Sequence, residues 1–353
     1  MPSASYRILD LGVTVTSSSE PFLDLVDTDY ACFRVTGVPE GRPFAVTFEP
    51  GPPALLSLDG RGVEVAGHAF PAEYALFGFH RALMEAVADF TVLHAAVLGA
   101  EGGAVAVCGG SGTGKTTLTL DLLAAGLGFL SDDFCPVHRE TRLVHPFPRS
   151  LWVRETPAAP GSRAPTLHGG KSRRVARDGA CRVEDRPLPL RWLVCLERGE
   201  AGTDTDLLQV GIREQGREAL LAELAAVPGV TLEPPRFEGS HEWQVRHPRD
   251  AQTVRALAAL LERHAPAVWN SSLVPGGIPD FDRIPCLTPI ASHEAAFILL
   301  RERKQPSVTG ALRPGAFLAH LTGLLEGVAC YRLTPGHRED RCNLVLQLLE
   351  DPR

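Results

Sequence analysis

Gly109-Gly-Ser-Gly-Thr-Gly-Lys-Thr116 is the stretch on which the reading of this chain turns. It satisfies the pattern G-x-x-x-x-G-K-[ST] of a phosphate-binding P-loop, or Walker A motif. Each residue type has a physical reason. The glycines let the backbone turn tightly enough for successive N–H groups to converge on phosphate oxygens, and a following helix offers its positive N-terminal end to the same anion. Lys115 brings a mobile point charge to the β- and γ-phosphates, and the Thr116 hydroxyl suits Mg²⁺. Gly109, Gly110, Ser111, Gly112, Thr113, Gly114, Lys115, Thr116 and Thr117 are therefore expected to cradle a nucleoside triphosphate.

The flanking sequence supplies the context that the motif needs. Thr91-Val-Leu-His-Ala-Ala-Val-Leu98 reads as a strand and Ala104-Val-Ala-Val-Cys108 as the strand leading into the loop. A helix follows from Lys115 to about Ala125, then another short strand over Leu127-Gly-Phe-Leu130. Asp132 and Asp133 come directly after that last strand, where the returning chain brings them to the mouth of the loop. Two adjacent acids there can divide the work, one holding the metal and the other taking a proton from an attacking hydroxyl. Read alone, the pair equally suits a turn or a helix cap. His94, in the strand before the P-loop strand, reads alone as a core histidine.

The stretch from His94 through the P-loop to Ser131-Asp-Asp133 resembles the nucleotide core of HPr kinase/phosphorylase and its related kinases, which carry a histidine ahead of the loop and an Asp pair behind it. Pro146-Phe-Pro-Arg-Ser150, Gly169-Gly-Lys171, Pro187-Leu-Pro-Leu-Arg191 and Val328-Ala-Cys-Tyr-Arg-Leu333 resemble segments of the related kinases found beside peptide-modifying genes. The resemblance implies an α/β fold like that of phosphoenolpyruvate carboxykinase, a P-loop kinase core of mixed β-sheet with flanking helices. It also implies ATP with Mg²⁺, and phosphorylation of a serine hydroxyl. By the same resemblance Asp132 is the general base, His94 orients it or tunes it electrostatically, and Asp133 helps bind the metal, although the two aspartates can exchange these roles. ATP is preferred to GTP on this ground, and no guanine-reading NKxD motif is present. The glycine-rich signature of phosphorylase activity is also missing, so neither dephosphorylation nor HPr itself follows from the likeness.

Two cations join the expected catalytic set. Arg149 follows a rigid Pro-Phe-Pro run, and Lys171 lies in the Pro/Gly/Arg/Ser-rich stretch 156–187, which reads as a lid. For both, a solvated surface charge is the plain alternative.

Further out, residues 1–85 alternate in short apolar runs broken by Gly and Pro and read as a β-rich N-terminal unit. A helix over about Ala72–Asp89 leads into the kinase domain, 86–353. Residues 201–288 exceed a bare nucleotide core and read as an insertion, with 270–287 a surface connection. Arg217–Leu232, Val254–Trp269 and Ala316–Leu333 each show a helical pattern followed by a β-like run.

The totals agree with a globular chain: 353 residues, 44% hydrophobic and 22% charged, with mean hydropathy +0.00. A net charge of −7 and pI ≈ 6.0 argue against a general nucleic-acid binder. No apolar run approaches the roughly 20 residues of a membrane span, and the start MPSASYRILDLG lacks a secretory pattern, so a cytoplasmic location without a membrane partner is expected. Eight scattered cysteines without a CxxC pair read as buried thiols. The expected activity is phosphotransfer to an alcohol acceptor, a serine of a peptide or protein. Alternatives are a small-molecule kinase and a nucleotide-sensing scaffold without chemistry. Homo-oligomerisation is left open.

Overall fold

Alternation builds the N-terminal sheet. In the strand Arg42–Glu49, Phe44, Val46 and Phe48 are buried while Ala45 between them is exposed, the period of two expected of a strand with one covered face. The computed structural model describes residues 1–65, 71–110, 112–154, 171–174, 182–197, 205–235, 242–274, 282–301 and 314–350. Six strands lie in the order Arg34–Val35, Ser3–Ile8, Leu11–Ser17, Arg42–Glu49, Leu55–Leu58, Arg61–Glu64. The one parallel pair, Leu11–Ser17 with Arg42–Glu49, is bridged by a helix, Glu20–Tyr30. Parallel neighbours need such a crossover. This helix corrects the purely β-rich expectation. Its signals are in the sequence: Ser19 caps the first turn, Pro21 sits at its start, and Phe22, Val26 and Tyr30 recur on one buried face. A second helix, Pro71–Ala86, connects this sheet to the next strand, Phe90–Leu93, and packs Leu76, Phe79 and Leu83 into the same core, which Phe147 also enters.

The central sheet follows from runs that are apolar without alternation. All six residues of Gly103–Cys108 are buried, as both faces are covered by helices. This strand pairs in parallel with Leu188–Leu196, which pairs in parallel with Ala329–Leu333. On its other side runs antiparallel Ala95–Ala100 and then Gly128–Ser131. Val105 and Val107 face the helices Lys115–Ala124 and Arg338–Glu350, whereas Ala104, Ala106 and Cys108 face Ser292–Arg301 and Pro314–Leu324. The result is a mixed α/β layer structure, as the α/β class expected from the sequence requires.

Two expectations need correction. The run 91–98 is not one strand: it breaks at His94 into Phe90–Leu93, paired with Cys135–His138, and Ala95–Ala100, paired with the P-loop strand. Nor is 270–287 wholly a surface connection, because Val268–Val274 is a strand. It belongs to a unit of its own, built from Thr205–Ile212, helix Arg217–Ala225, Thr231–Glu233, Glu242–Pro248, helix Ala251–Arg263 and Val268–Val274. The four strands are antiparallel to their neighbours in the order third-to-last edge Thr231–Glu233, Glu242–Pro248, Thr205–Ile212, Val268–Val274. That is the split βαβ arrangement in which each helix crosses over one intervening strand. Of the three similar helix-then-strand segments, the first two are the halves of this unit and the third belongs to the central sheet.

Candidate functional site

The P-loop begins where the strand Gly103–Cys108 ends. A Cβ on Gly109 would stand 2.7 Å from Thr113 Oγ1 and 2.8 Å from Leu196 Cβ, so the backbone can pass the neighbouring strand only without a side chain. Thr113 closes the turn, its amide and its hydroxyl both donating to the Gly110 carbonyl, at 3.3 and 2.9 Å. Gly112 and Gly114 each have φ of +85°, where any other residue is strained, and Gly114 caps the helix Lys115–Ala124. Thr116 is half-buried and Thr117 exposed at the start of that helix. Ser111 lies outside the described residues.

Lys115 is nearly buried, 9% exposed, and its ammonium is held from two sides. Nζ lies 2.8 Å from Asp133 Oδ1 and 3.0 Å from His94 Nε2. His94 arrives there because of the strand break. Leu93 pairs with Cys135 on one side and Ala95 with Cys108 on the other, so the residue between them stands beside both the P-loop entrance and the Asp132–Phe134 turn. The hydrogen bonds also fix its tautomer. An ammonium can only donate, so Nε2 accepts from Lys115, and the proton sits on Nδ1, which donates to the Asp133 carbonyl at 3.0 Å. The imidazole is thus neutral, and it meets Asp133 and Lys115 directly.

The two aspartates differ in setting. Asp132 is 5% exposed, whereas the Asp133 side chain is 37% exposed at the loop mouth. Asp133 has φ of +63°, a left-handed conformation that Asp tolerates better than most residues, and the Phe134 amide closes the turn on the Asp132 carbonyl at 2.9 Å.

Arg149 differs most from expectation. Rather than a surface cation free to close over phosphate, it is 6% exposed, with its guanidinium 4.7 Å over the Phe134 ring and 5.9 Å from that of Phe147. It interacts electrostatically with Tyr30 and Asp29, of the N-terminal unit. Burial pulls its pKa down, but Tyr30, Asp29 and Asp133 outweigh burial and leave it raised. Lys171 falls in a short ribbon in which Lys171–Arg174 pairs with Leu151–Arg154, while residues 156–170 and 175–181 of the expected lid lie outside the described residues. The end of the expected lid, 182–187, is tied to the core: the Phe129 amide donates to the Arg182 carbonyl at 2.7 Å, and the Glu184 amide to the Phe129 carbonyl at 2.9 Å.

Sequence reasoning missed Arg341. It is 4% exposed on the helix Arg338–Glu350, and Nη2 donates to the Thr113 carbonyl inside the P-loop at 3.1 Å. Burial pushes its pKa down to about 10. On the same helix Arg338 grips Asp121 of the P-loop helix with both Nε and Nη2. The only available signal was two arginines three apart at a helix start, which point the same way.

Other titratable clusters do less. Cys108 and Cys195 lie opposite each other on the parallel strands, Sγ to Sγ 3.3 Å. Contact with Cys108 and then burial push the Cys195 thiol up, burial does the same for Cys135, and Cys330 is pushed up to about 12. Such thiols pack rather than react. Among the described residues, no group of three or more His, Cys, Asp or Glu side chains is arranged to hold a metal, and no helix is long and apolar enough to cross a membrane. Mg²⁺ needs only one or two protein oxygens when phosphates supply others. The Thr116 hydroxyl, next to Lys115 in sequence, and the Asp133 carboxylate, 2.8 Å from its ammonium, are hard oxygen donors of that kind. No protein-family model and no curated protein matches this chain.

Proposed function

We propose that this chain binds MgATP at the P-loop and transfers the γ-phosphoryl group to an acceptor hydroxyl, a serine of a peptide or protein. The observation carrying the reading is the convergence on Lys115: a P-loop lysine held between a neutral imidazole and a carboxylate, with a second carboxylate next in the chain. A nucleotide scaffold needs the lysine but has no use for a base.

The residues divide the work by their chemistry. The loop amides and the Lys115 ammonium bind the β- and γ-phosphates, so Lys115 exchanges the Asp133 carboxylate for phosphate oxygens as nucleotide enters. Freed from the lysine, Asp133 can hold Mg²⁺ together with Thr116. A Mg²⁺ ion held by these two oxygens would supply charge neutralisation to the phosphates. Asp132 takes the proton of the acceptor hydroxyl as its oxygen bonds to phosphorus and the bond from phosphorus to the ADP oxygen breaks, leaving a phosphoester, ADP and a protonated carboxyl. His94 donates to the Asp133 carbonyl and holds the turn that presents both acids.

The test is transfer of labelled phosphate from γ-labelled ATP to serine peptides and to small alcohols, with nucleotide binding measured separately. Wild type is expected to label a peptide, Lys115→Ala to label none, and Asp132→Asn to bind MgATP while losing roughly 10²–10⁴-fold in kcat. Asp133→Asn is expected to lose Mg²⁺-dependent binding. Binding without any transfer would establish the scaffold instead, label on alcohols alone the small-molecule kinase, and full activity of Lys115→Ala would end the P-loop assignment.

A further inference from the structure

We infer that the N-terminal unit is part of the phosphotransfer site: its residues Asp29, Tyr30 and His80 hold Arg149 against the Phe134 ring, and so position the turn that carries Asp132 and Asp133. This deepens the proposed function and rests on it for its catalytic consequence, although the positioning itself can be read without activity.

Arg149 interacts electrostatically with Tyr30 and Asp29. The Tyr30 hydroxyl and His80 Nδ1 form a hydrogen bond of 2.6 Å. On the other side of the ring, His80 Nε2 lies 3.2 Å from Asp29 Oδ2. Burial raises the Tyr30 pKa, which keeps the phenol protonated at any working pH. These groups therefore connect the Arg149 cation with the Asp29 carboxylate inside the N-terminal unit. Asp29 is 1% and Arg149 6% exposed, so neither charge of the pair has bulk water to settle it.

The elements fix this arrangement. Asp29 and Tyr30 end the helix Glu20–Tyr30 and His80 lies in the helix Pro71–Ala86, two helices packed on each other. Arg149 follows Phe147, which is fully buried in the N-terminal core with its ring 6.2 Å from Tyr30 and 5.9 Å from Phe134. The Ser150 hydroxyl donates to the Thr28 carbonyl at 3.4 Å, a second tie at the same joint. Phe134 is the residue after Asp133, whose left-handed backbone must be held by its surroundings. The guanidinium lying on that ring is the direct hold.

The experiment uses the full chain with Tyr30→Phe, which keeps the ring and its packing and removes only the hydroxyl. Hydrogen exchange of the Phe134 amide, bonded to the Asp132 carbonyl, is expected to quicken at least several-fold while amides of the strand Gly103–Cys108 stay as in wild type. Phosphotransfer kcat is expected to fall about ten-fold with the KM for ATP changed less than two-fold, and Arg149→Lys to retain more activity than Arg149→Met. In the Asp132→Asn background, Tyr30→Phe is expected to add little, because residues acting through one group are not additive. Unchanged exchange at Phe134, or a kcat loss that is fully additive with Asp132→Asn, would overturn the inference. A wild type that binds no nucleotide would end the functional reading while leaving the exchange result to decide the positioning.

Discussion

Arg341 shows how one buried charge can serve a loop that it does not belong to. Its donation to the Thr113 carbonyl holds the P-loop from behind. Replacing Arg341 by Met removes that donor and leaves a buried carbonyl unsatisfied, a cost of about 1–3 kcal/mol that falls on the loop's geometry. Arg341→Met is therefore expected to weaken ATP binding about ten-fold, equivalent to about 1.4 kcal/mol, with kcat at saturation nearly unchanged. Titration of MgATP against the variant checks this, and a kcat loss at unchanged affinity would instead make Arg341 a group acting on the transition state. Arg338 is a useful contrast. Its pair with Asp121 is bidentate but its side chain is 64% exposed, so water and salt limit it to under about 1 kcal/mol.

At the scale of elements, the P-loop depends on a close pass between the end of one strand and the next. Gly109 is the contact point, where an added Cβ would meet Leu196 Cβ at 2.8 Å and Thr113 Oγ1 at 2.7 Å. Neither neighbour can yield cheaply: Leu196 ends a strand paired on two sides, and the Thr113 hydroxyl closes the loop on Gly110. Gly109→Ala is expected to lower nucleotide affinity by at least about ten-fold through a displaced cradle, since overpacking of this kind costs about 1–3 kcal/mol. Fluorescent-nucleotide binding and a melting curve together check it. A lowered Tm with wild-type affinity would mean that the strand yields and the loop does not. The split βαβ unit at 205–274 has its own core around Val210, Leu220, Val245 and Leu257. Its core is therefore separate from those that cover the central sheet.

Across the whole molecule, the N-terminal unit and the central sheet share apolar and ionisable contacts. Near their joint, His145 packs 4.9 Å from Phe90 and 5.7 Å from His138, and burial followed by the His138 charge lowers its pKa. His320 bonds Thr91 at 2.8 Å, and its pKa is also lowered, first by burial. The sign follows from linkage. A histidine with a depressed folded-state pKa favours the neutral form, so its contribution is intact above the unfolded value of about 6.5 and is lost as pH falls from there through the lower folded value. Tm is expected to fall on acidification through that window, and His145→Gln to flatten the fall. A Tm independent of pH between about 7 and 5 would show that these rings accept protons without cost.

Legibility in the sequence followed the range of the cause. Gly109–Thr116 could be read directly because the constraint is local: turn glycines, a lysine and a hydroxyl at fixed spacing have one common physical use. The apolar runs around it were legible as a central α/β sheet for the same reason, and so were the helix-then-strand segments at 217–232 and 254–269. The helix Glu20–Tyr30 was also written locally, in Ser19, Pro21 and one apolar face, but it sits among strands whose alternation dominates the region. What no local pattern carried was the pairing of distant groups. Arg149 reads as a loop cation until Tyr30 and Phe134 close around it, Arg341 reads as one of several surface arginines until its helix docks on the P-loop, and His94 reads as a strand residue until two different partners split its strand. Residue spacing sets which side chains share a face, but only the packing of separate elements decides which charges leave water together and must therefore satisfy one another.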